Sequence, residues 1–199
     1  MPRPDAEDRI AAAAFRILAK EPWTETTLAS VAKSAKVPWD EVLQIAPSRA
    51  ALVPVMLRRA AADTAKRYRP DRATQNARER VFDAIMSWFE VQSARKQAVR
   101  ALYTGLRREP LTLLSLRREF VASAEWLLAL AEADAGAASS VRAACIGGLV
   151  AHALPVWLSD DEDMGRTMAQ IDHDLRRIER FLWPREKPKR KTRRKPRPR

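Results

Sequence analysis

Residues 9–52, "RIAAAAFRILAKEPWTETTLASVAKSAKVPWDEVLQIAPSRAAL", set apolar positions at helical spacing between short breaks, and that pattern decides the fold. Ile10, Ala13, Ala14, Ile17 and Leu18 share one face of a first helix over 5–20. Acids lie near its start and Lys20 at its end, where the helix dipole favours each sign. "EPWTET" breaks the pattern, and Thr26 is the expected cap of a second helix with Leu28, Val31, Ala32 and Ala35 on its apolar face. "KVP" is a short turn. Pro38 suits the first turn of a third helix ending near Ala46. Pro47-Ser48 then restarts the chain into a longer helix through about Arg67, with a kink expected at Pro54. Helix, short turn, helix between flanking helices is the layout of a helix-turn-helix unit.

The rest of the chain follows the same period. Of 199 residues 46% are apolar and only 5 are glycine, which together with the scarcity of alternating stretches predicts an all-α protein. Residues 53–76 read as a connecting helix and a polar, Pro-containing linker, "YRPDRATQN". Residues 77–184 read as a second helical domain. Val81, Phe82, Ile85, Met86 and Phe89 fall on one helix, and Val99, Leu102, Tyr103 and Leu106 on the next. "LTLLSLRREFVASAEWLLALAEA" after Pro110 reads as one helix, ended by small residues around Gly136. Helix 140–158 is almost wholly apolar and is expected to be the central, buried one. Its run is interrupted by Gly, His and Pro, short of the roughly 20 residues that span a bilayer. "SDDED" supplies acids to cap a last helix, whose Met164, Met168, Ile171, Leu175, Ile178 and Leu182 make a seam suited to another helix or another subunit.

Charge is unevenly placed. The net charge is +12, but "REKPKRKTRRKPRPR" (185–199) holds ten basic residues and one acid, which leaves about +3 for everything before it. This polybasic tail is expected to be disordered and to bind a polyanion, either DNA or an anionic membrane surface. Cys145 is alone, and the opening "MPRPDAEDR" has no apolar stretch, so a cytoplasmic protein without disulfides or a signal peptide is expected. No zinc spacing, Gly-rich phosphate loop or nucleophile elbow is present, and His152 and His173 stand 21 residues apart. The expectation is no enzyme, no metal and no cofactor.

The segment "RIAAAAFRILAKEPWTETTLASVAKSAKV" with "PSRAAL" after it resembles the DNA-binding domain of the TetR family, over residues 1–52. The resemblance implies an N-terminal helix-turn-helix three-helix unit, a C-terminal helical ligand and dimerisation domain, a homodimer, and transcriptional regulation. The departures are local. Lys36 stands where that family has a turn glycine, and Pro38-Trp39-Asp40-Glu41 replaces its Ser-Lys-Gly-Thr. Leu43-Gln44-Ile45-Ala46 replaces Tyr-x-x-Phe. "RERVFDAIMSWFEVQSARKQAVRAL" and "WLSDDEDMGRTMAQIDHDLRRIER" resemble instead the TetR-like accessory proteins of ubiquinone biosynthesis, which implies lipid binding with little or no operator reading.

Two sets of site residues follow. Lys36, Trp39 and Gln44 are candidate DNA contacts, with Thr27 and Arg49 as phosphate anchors; Gln44 alone in the third helix has the amide fork suited to a base edge. Asp40 and Glu41 on the same helix oppose phosphate. Phe82, Met86, Phe89, Trp126 and Trp157, with Trp88, are candidates to line a chamber for an apolar small molecule or isoprenoid lipid; the alternative is that they are simply core. Gly147-Gly148 and Pro155 would permit close packing or a kink beside such a chamber.

Overall fold

The computed structural model describes residues 4–70, 74–134 and 139–183. Among them lie ten α-helices and no strand: α1 (Pro4–Leu18), α2 (Leu28–Ala35), α3 (Trp39–Ile45), α4 (Leu52–Arg67), α5 (Ala77–Ser93), α6 (Lys96–Leu106), α7 (Pro110–Ser115), α8 (Arg117–Leu130), α9 (Ser139–Leu158) and α10 (Gly165–Leu182). The all-α expectation holds. The polybasic tail, the loop around Gly136 and the middle of the linker lie outside the described residues.

Two hydrophobic clusters organise the helices. The first gathers α1 to α4 around Ile10, Leu18, Trp23, Val31, Val42 and Leu52. It does not stop at residue 52, because Ala98 and Leu106 of α6 and Leu116 are buried in it too. Helices α1–α4 and α6 therefore share one core. Trp23, in a 3-10 turn over Trp23–Glu25, is fully buried and lies on α6 so closely that a Cβ at Gly105 would stand 2.3 Å from the Trp23 Cβ. Only glycine permits that approach. The second cluster joins α5, α8, α9 and α10 through Phe89, Ile85, Leu128, Ile146, Trp157, Ile171 and Leu175.

Several local expectations need correction. Thr27, not Thr26, caps α2: its Oγ1 accepts from the Ser30 N–H at 3.1 Å, and the Ser30 hydroxyl answers the Thr27 N–H at 3.3 Å. Thr26 is buried, its hydroxyl turned back to the Pro22 carbonyl. Pro54 does not kink α4. It occupies the first turn, where its missing N–H leaves no hydrogen bond unmade, and residues 48–51 form the preceding turn. The stretch after Pro110 is two helices, not one, with Leu116 between them buried against the first cluster.

Helix α9 departs furthest from its expectation. It is 20 residues long, because neither the glycine pair nor Pro155 interrupts it, and it is the one described helix with the length and composition to cross a membrane. Yet only 39% of its most apolar stretch is buried. Ile146, Leu149, Ala153 and Trp157 face inward, while Val141, Ala144, Gly148, Ala151, His152 and Pro155 are exposed. Apolar composition is not burial when a helix has neighbours on one side only. In α10 the expected seam is likewise divided: Ile171, Leu175 and Leu182 are buried within the chain, Ile178 is half-buried and Met168 is exposed. The acids before α10 act as expected in effect. Asp160 Oδ2 accepts both the Thr167 N–H and its hydroxyl at 2.7 Å, and Asp163 accepts the Gly165 N–H at 3.1 Å. Burial pushes the Asp160 carboxyl up, but those hydrogen bonds outweigh it and hold it below its ordinary value.

Candidate nucleic-acid interface

The turn between α2 and α3 is built around a residue in an uncommon conformation. Lys36 has φ 54° and ψ 43°, the left-handed region that glycine enters freely and a lysine enters at about 1 kcal/mol. The surroundings explain why it persists. The Lys36 N–H reaches the Lys33 carbonyl at 3.3 Å and the Val37 N–H reaches that of Ala32 at 3.2 Å, a Schellman closure of α2. Arg9 of α1 then clamps the turn, donating from Nε and Nη2 to the Ala35 carbonyl at 2.9 and 2.6 Å and from Nη2 to that of Lys36. A guanidinium on the last carbonyls of a helix also suits their partial negative charge.

Val37 fills the core after this turn, and Pro38 turns the chain into α3. Val42 is the only fully buried residue of α3, with Ile45 packed beside it. The outer side of α3 carries Trp39 at 49% exposure, Asp40, Leu43 at 39% and Gln44. Trp39 and Leu43 are one turn apart, as are Asp40 and Gln44, so two short stripes run along the helix. One is apolar and the other pairs an acid with an amide. No basic residue lies on this face.

Of the five candidate DNA contacts, Lys36, Trp39 and Gln44 are exposed on the turn and the outer side of α3. Thr27 is exposed at the start of α2, with its hydroxyl oxygen in the capping box. Arg49 is committed inside the chain. Its Nη1 reaches the Trp23 and Thr24 carbonyls at 3.3 and 3.2 Å, its Nη2 pairs with Glu109 at 2.7 Å, and its guanidinium lies 4.9 Å from the Trp23 ring centre. It ties the α3–α4 connection and the Trp23 turn to the segment between α6 and α7. A phosphate contact would have to break that tie, so Arg49 fits a structural role better than the anchoring role its sequence position suggested.

Other arginines nearby are occupied too. Arg16 bonds the Ser34 carbonyl and hydroxyl at 3.1 Å, Arg58 pairs with Glu7 at 2.6 Å, and Arg59 meets Asp8 and Asp63. None of this was legible from composition, since an arginine that clamps a turn and one that waits for phosphate look alike in a sequence.

The five residues proposed to line an apolar chamber stand differently. Phe89 and Trp157 are fully buried with ring centres 5.3 Å apart, Trp88 meets Phe89 edge-on at 5.0 Å, and Met86 is buried. Phe82 and Trp126 are half-buried against the same cluster. The described cavities lie elsewhere. One of about 520 Å³ opens between α1, α4 and the α5–α6 turn, and one of about 320 Å³ lies between the Trp23 turn and α6; none of the five residues lines either. These aromatics are packed as core. Among the described residues no cluster of three or more His, Cys, Asp and Glu is placed to hold a metal. Compared with protein families and with curated proteins, the chain matches no family model and no curated sequence.

Proposed function

We propose that the chain is a dimeric DNA-binding transcriptional regulator of the TetR type, acting in the cytoplasm through α2, the Lys36 turn and α3. The observation that carries this reading is α3 itself. It is anchored by a single fully buried residue, follows a turn clamped by Arg9, and holds its outer residues clear of the chain. A helix so presented can enter a major groove, where Gln44 has the amide fork for adenine and Trp39 can contact a thymine methyl or the sugar edge. Lys36 and the basic residues after 184 would supply phosphate attraction. Dimerisation would set two such helices about 34–36 Å apart on successive major grooves. The exposed apolar side of α9, with Met168 and Phe181 exposed on α10, is surface that a second copy could cover. An apolar small molecule as effector would need a chamber among the C-terminal helices, where Phe82 and Trp126 are only half-buried against the aromatic cluster.

A second reading has its own observation. The outer side of α3 bears two exposed apolar residues and an acid but no cation, which suits a protein or lipid contact better than phosphate. On that reading the chain is a lipid-binding accessory protein of ubiquinone biosynthesis on a retained helix-turn-helix scaffold.

One preparation tests both. The chain lacking residues 185–199 is mixed with a pool of random duplex DNA, and a parallel sample is extracted and analysed for lipid by mass spectrometry. The regulator reading expects an enriched palindrome bound about 10³-fold tighter than random sequence. Replacing Trp39 and Gln44 by Ala should abolish that preference without unfolding the chain. No enriched sequence, together with bound isoprenoid lipid, would overturn it in favour of the second reading.

A further inference from the structure

The cavity of about 520 Å³ is lined by Arg16 from α1, Arg59 from α4, Arg95 from the α5–α6 turn and Lys96 at the start of α6, with no acidic residue in its walls. Small residues keep the space open: Ala12 and Ala19 on one side, Ala94 and Ala98 on the other. Its floor includes the start of α6, an 11-residue helix whose first turn has no side-chain cap. The N–H groups of Lys96, Gln97 and Ala98 precede the first hydrogen bond of this helix, from Val99 to the Arg95 carbonyl at 3.0 Å.

The guanidiniums are held in place by a carboxylate behind them. Asp63 Oδ2 accepts from Arg95 Nη2 at 2.5 Å and from Arg59 Nε at 3.0 Å. Burial pushes the Asp63 carboxyl up, but Arg95 and Arg59 outweigh it and hold it ionised well into acid. Arg95 also lies 4.7 Å over the Phe15 ring, and its Nη1 is buried with no hydrogen-bond partner among the described residues. Arg16 bonds Ser34 at 3.1 Å on the exposed surface and can swing toward the space. Arg16, Arg59, Arg95 and Lys96, less Asp63 and Asp8, leave +2 around the cavity. Asp8, the other acid near Arg59, is 62% exposed and solvated. The Lys96 ammonium is turned away to the Asp160 carbonyl at 2.7 Å.

We propose that this cavity binds a small phosphate-bearing anion, held by Arg95, Arg59 and Arg16 against the open N-terminus of α6. A phosphate dianion matches the +2 charge and the parallel N–H donors of planar guanidiniums, and a helix N-terminus adds further donors and the positive end of its dipole. The volume lies within the usual range for small-molecule sites and leaves room for an organic group beyond the phosphate. The site joins α1 of the helix-turn-helix unit to the α5–α6 turn. It stands whether or not α3 reads DNA.

The test is a titration of the isotopically labelled full chain with inorganic phosphate, followed by amide NMR, against sodium chloride at equal ionic strength and slightly alkaline pH. Phosphate bound by the basic residues after 184 is read from their own resonances. The expected result is saturable shifts of the Lys96, Gln97 and Ala98 amides with phosphate and not with chloride. Arg95→Gln should weaken that binding by about tenfold or more, the scale of one charge-assisted contact. Because Arg95→Gln also loosens Asp63, Gln97→Glu serves as the second variant. A carboxylate there suits the helix N-terminus, so the fold should be kept or slightly strengthened, while the saturable shifts should vanish. Shifts no larger than those with chloride, or an unchanged affinity in well-folded Gln97→Glu, would overturn the proposal.

Discussion

The two hydrophobic clusters use glycine in opposite ways. In the first, α6 approaches the Trp23 turn until a Cβ at Gly105 would overlap that side chain. In the second, large aromatics fill the space, and the paired glycines of α9 are not required by it. A Cβ at Gly147 would meet Ala124 at an ordinary 3.6 Å, and one at Gly148 would meet nothing within 4 Å. Glycine at 105 is thus explained by the chain's own packing. Glycine at 148 is not, and it sits on the exposed apolar side of α9.

The contrast can be attacked first where packing is tightest. Trp23→Ala should destabilise the chain by about 3–5 kcal/mol, because it empties the centre of the first cluster and leaves Arg49 without its ring. Gly105→Ala should cost about 2–3 kcal/mol, since the new methyl must displace a buried indole rather than a flexible side-chain tip. The pair should be strongly coupled. In a Trp23→Gly background, which removes the Cβ that lies 2.3 Å away as well as the indole, the added methyl has room, so the penalty of Gly105→Ala should largely disappear in urea denaturation. Additive losses would show that the close approach is not what fixes this glycine.

A smaller effect separates the capping acids of the second cluster from its apolar filling. The Asp160 carboxyl is held below its ordinary value in the folded chain. Its stabilising contribution is therefore complete above the unfolded carboxylate range, near pH 4, and is lost as pH falls through the lower folded value. Asp160→Asn should lower stability at neutral pH and flatten this acid limb, as read from urea midpoints between pH 2 and 6. An unchanged limb would assign the acid sensitivity to other carboxylates, such as Asp63.

Much of this was legible in the sequence for a physical reason: period and capping are local. The apolar positions of α1 and α2, the break at "EPWTET" and the capping acids before α10 all act through neighbours within a turn or two. Long-range commitments were not legible. Arg9 clamps a turn 26 residues away, Arg49 pairs with Glu109 60 residues on, and Gly105 accommodates Trp23 from a different helix. The partial burial of α9 does not follow from its hydropathy, which reports what a helix could bury, not how many neighbours it has. The cationic cavity was invisible for the same reason, since its arginines come from three separate elements.

At the turn before α3 the relation between glycine and structure is reversed: the conformation calls for glycine and the chain has Lys36. Lys36→Gly should raise stability by about 0.5–1 kcal/mol, through relief of the left-handed lysine less the added chain entropy of glycine. A loss instead would mean that the lysine side chain contributes contacts of its own. In the regulator reading the same change should weaken DNA binding by removing a phosphate-facing charge, so stability and binding should move in opposite directions.

The smallest expected effect is at Gly148, and its sign carries the most information. For a lone chain, Gly148→Ala fills open space on a helix surface and reduces unfolded-state entropy, which should stabilise by about 0.5–1 kcal/mol. If a second copy covers α9, the same methyl enters a helix–helix contact where close backbone approach is gained from the missing side chain. The variant should then be more stable at low protein concentration and less dimeric at high concentration, as sedimentation measured over a wide concentration range would reveal. Gly147→Ala is the internal control, because its Cβ meets Ala124 at 3.6 Å and the Phe120 carbonyl at 3.9 Å within the same chain and should leave association unchanged. Equal behaviour of the two variants across that range would mean that the exposed side of α9 has no partner copy. The difference between the two clusters would then reduce to packing within one chain, and a two-headed DNA reader would lose the surface proposed to join its halves.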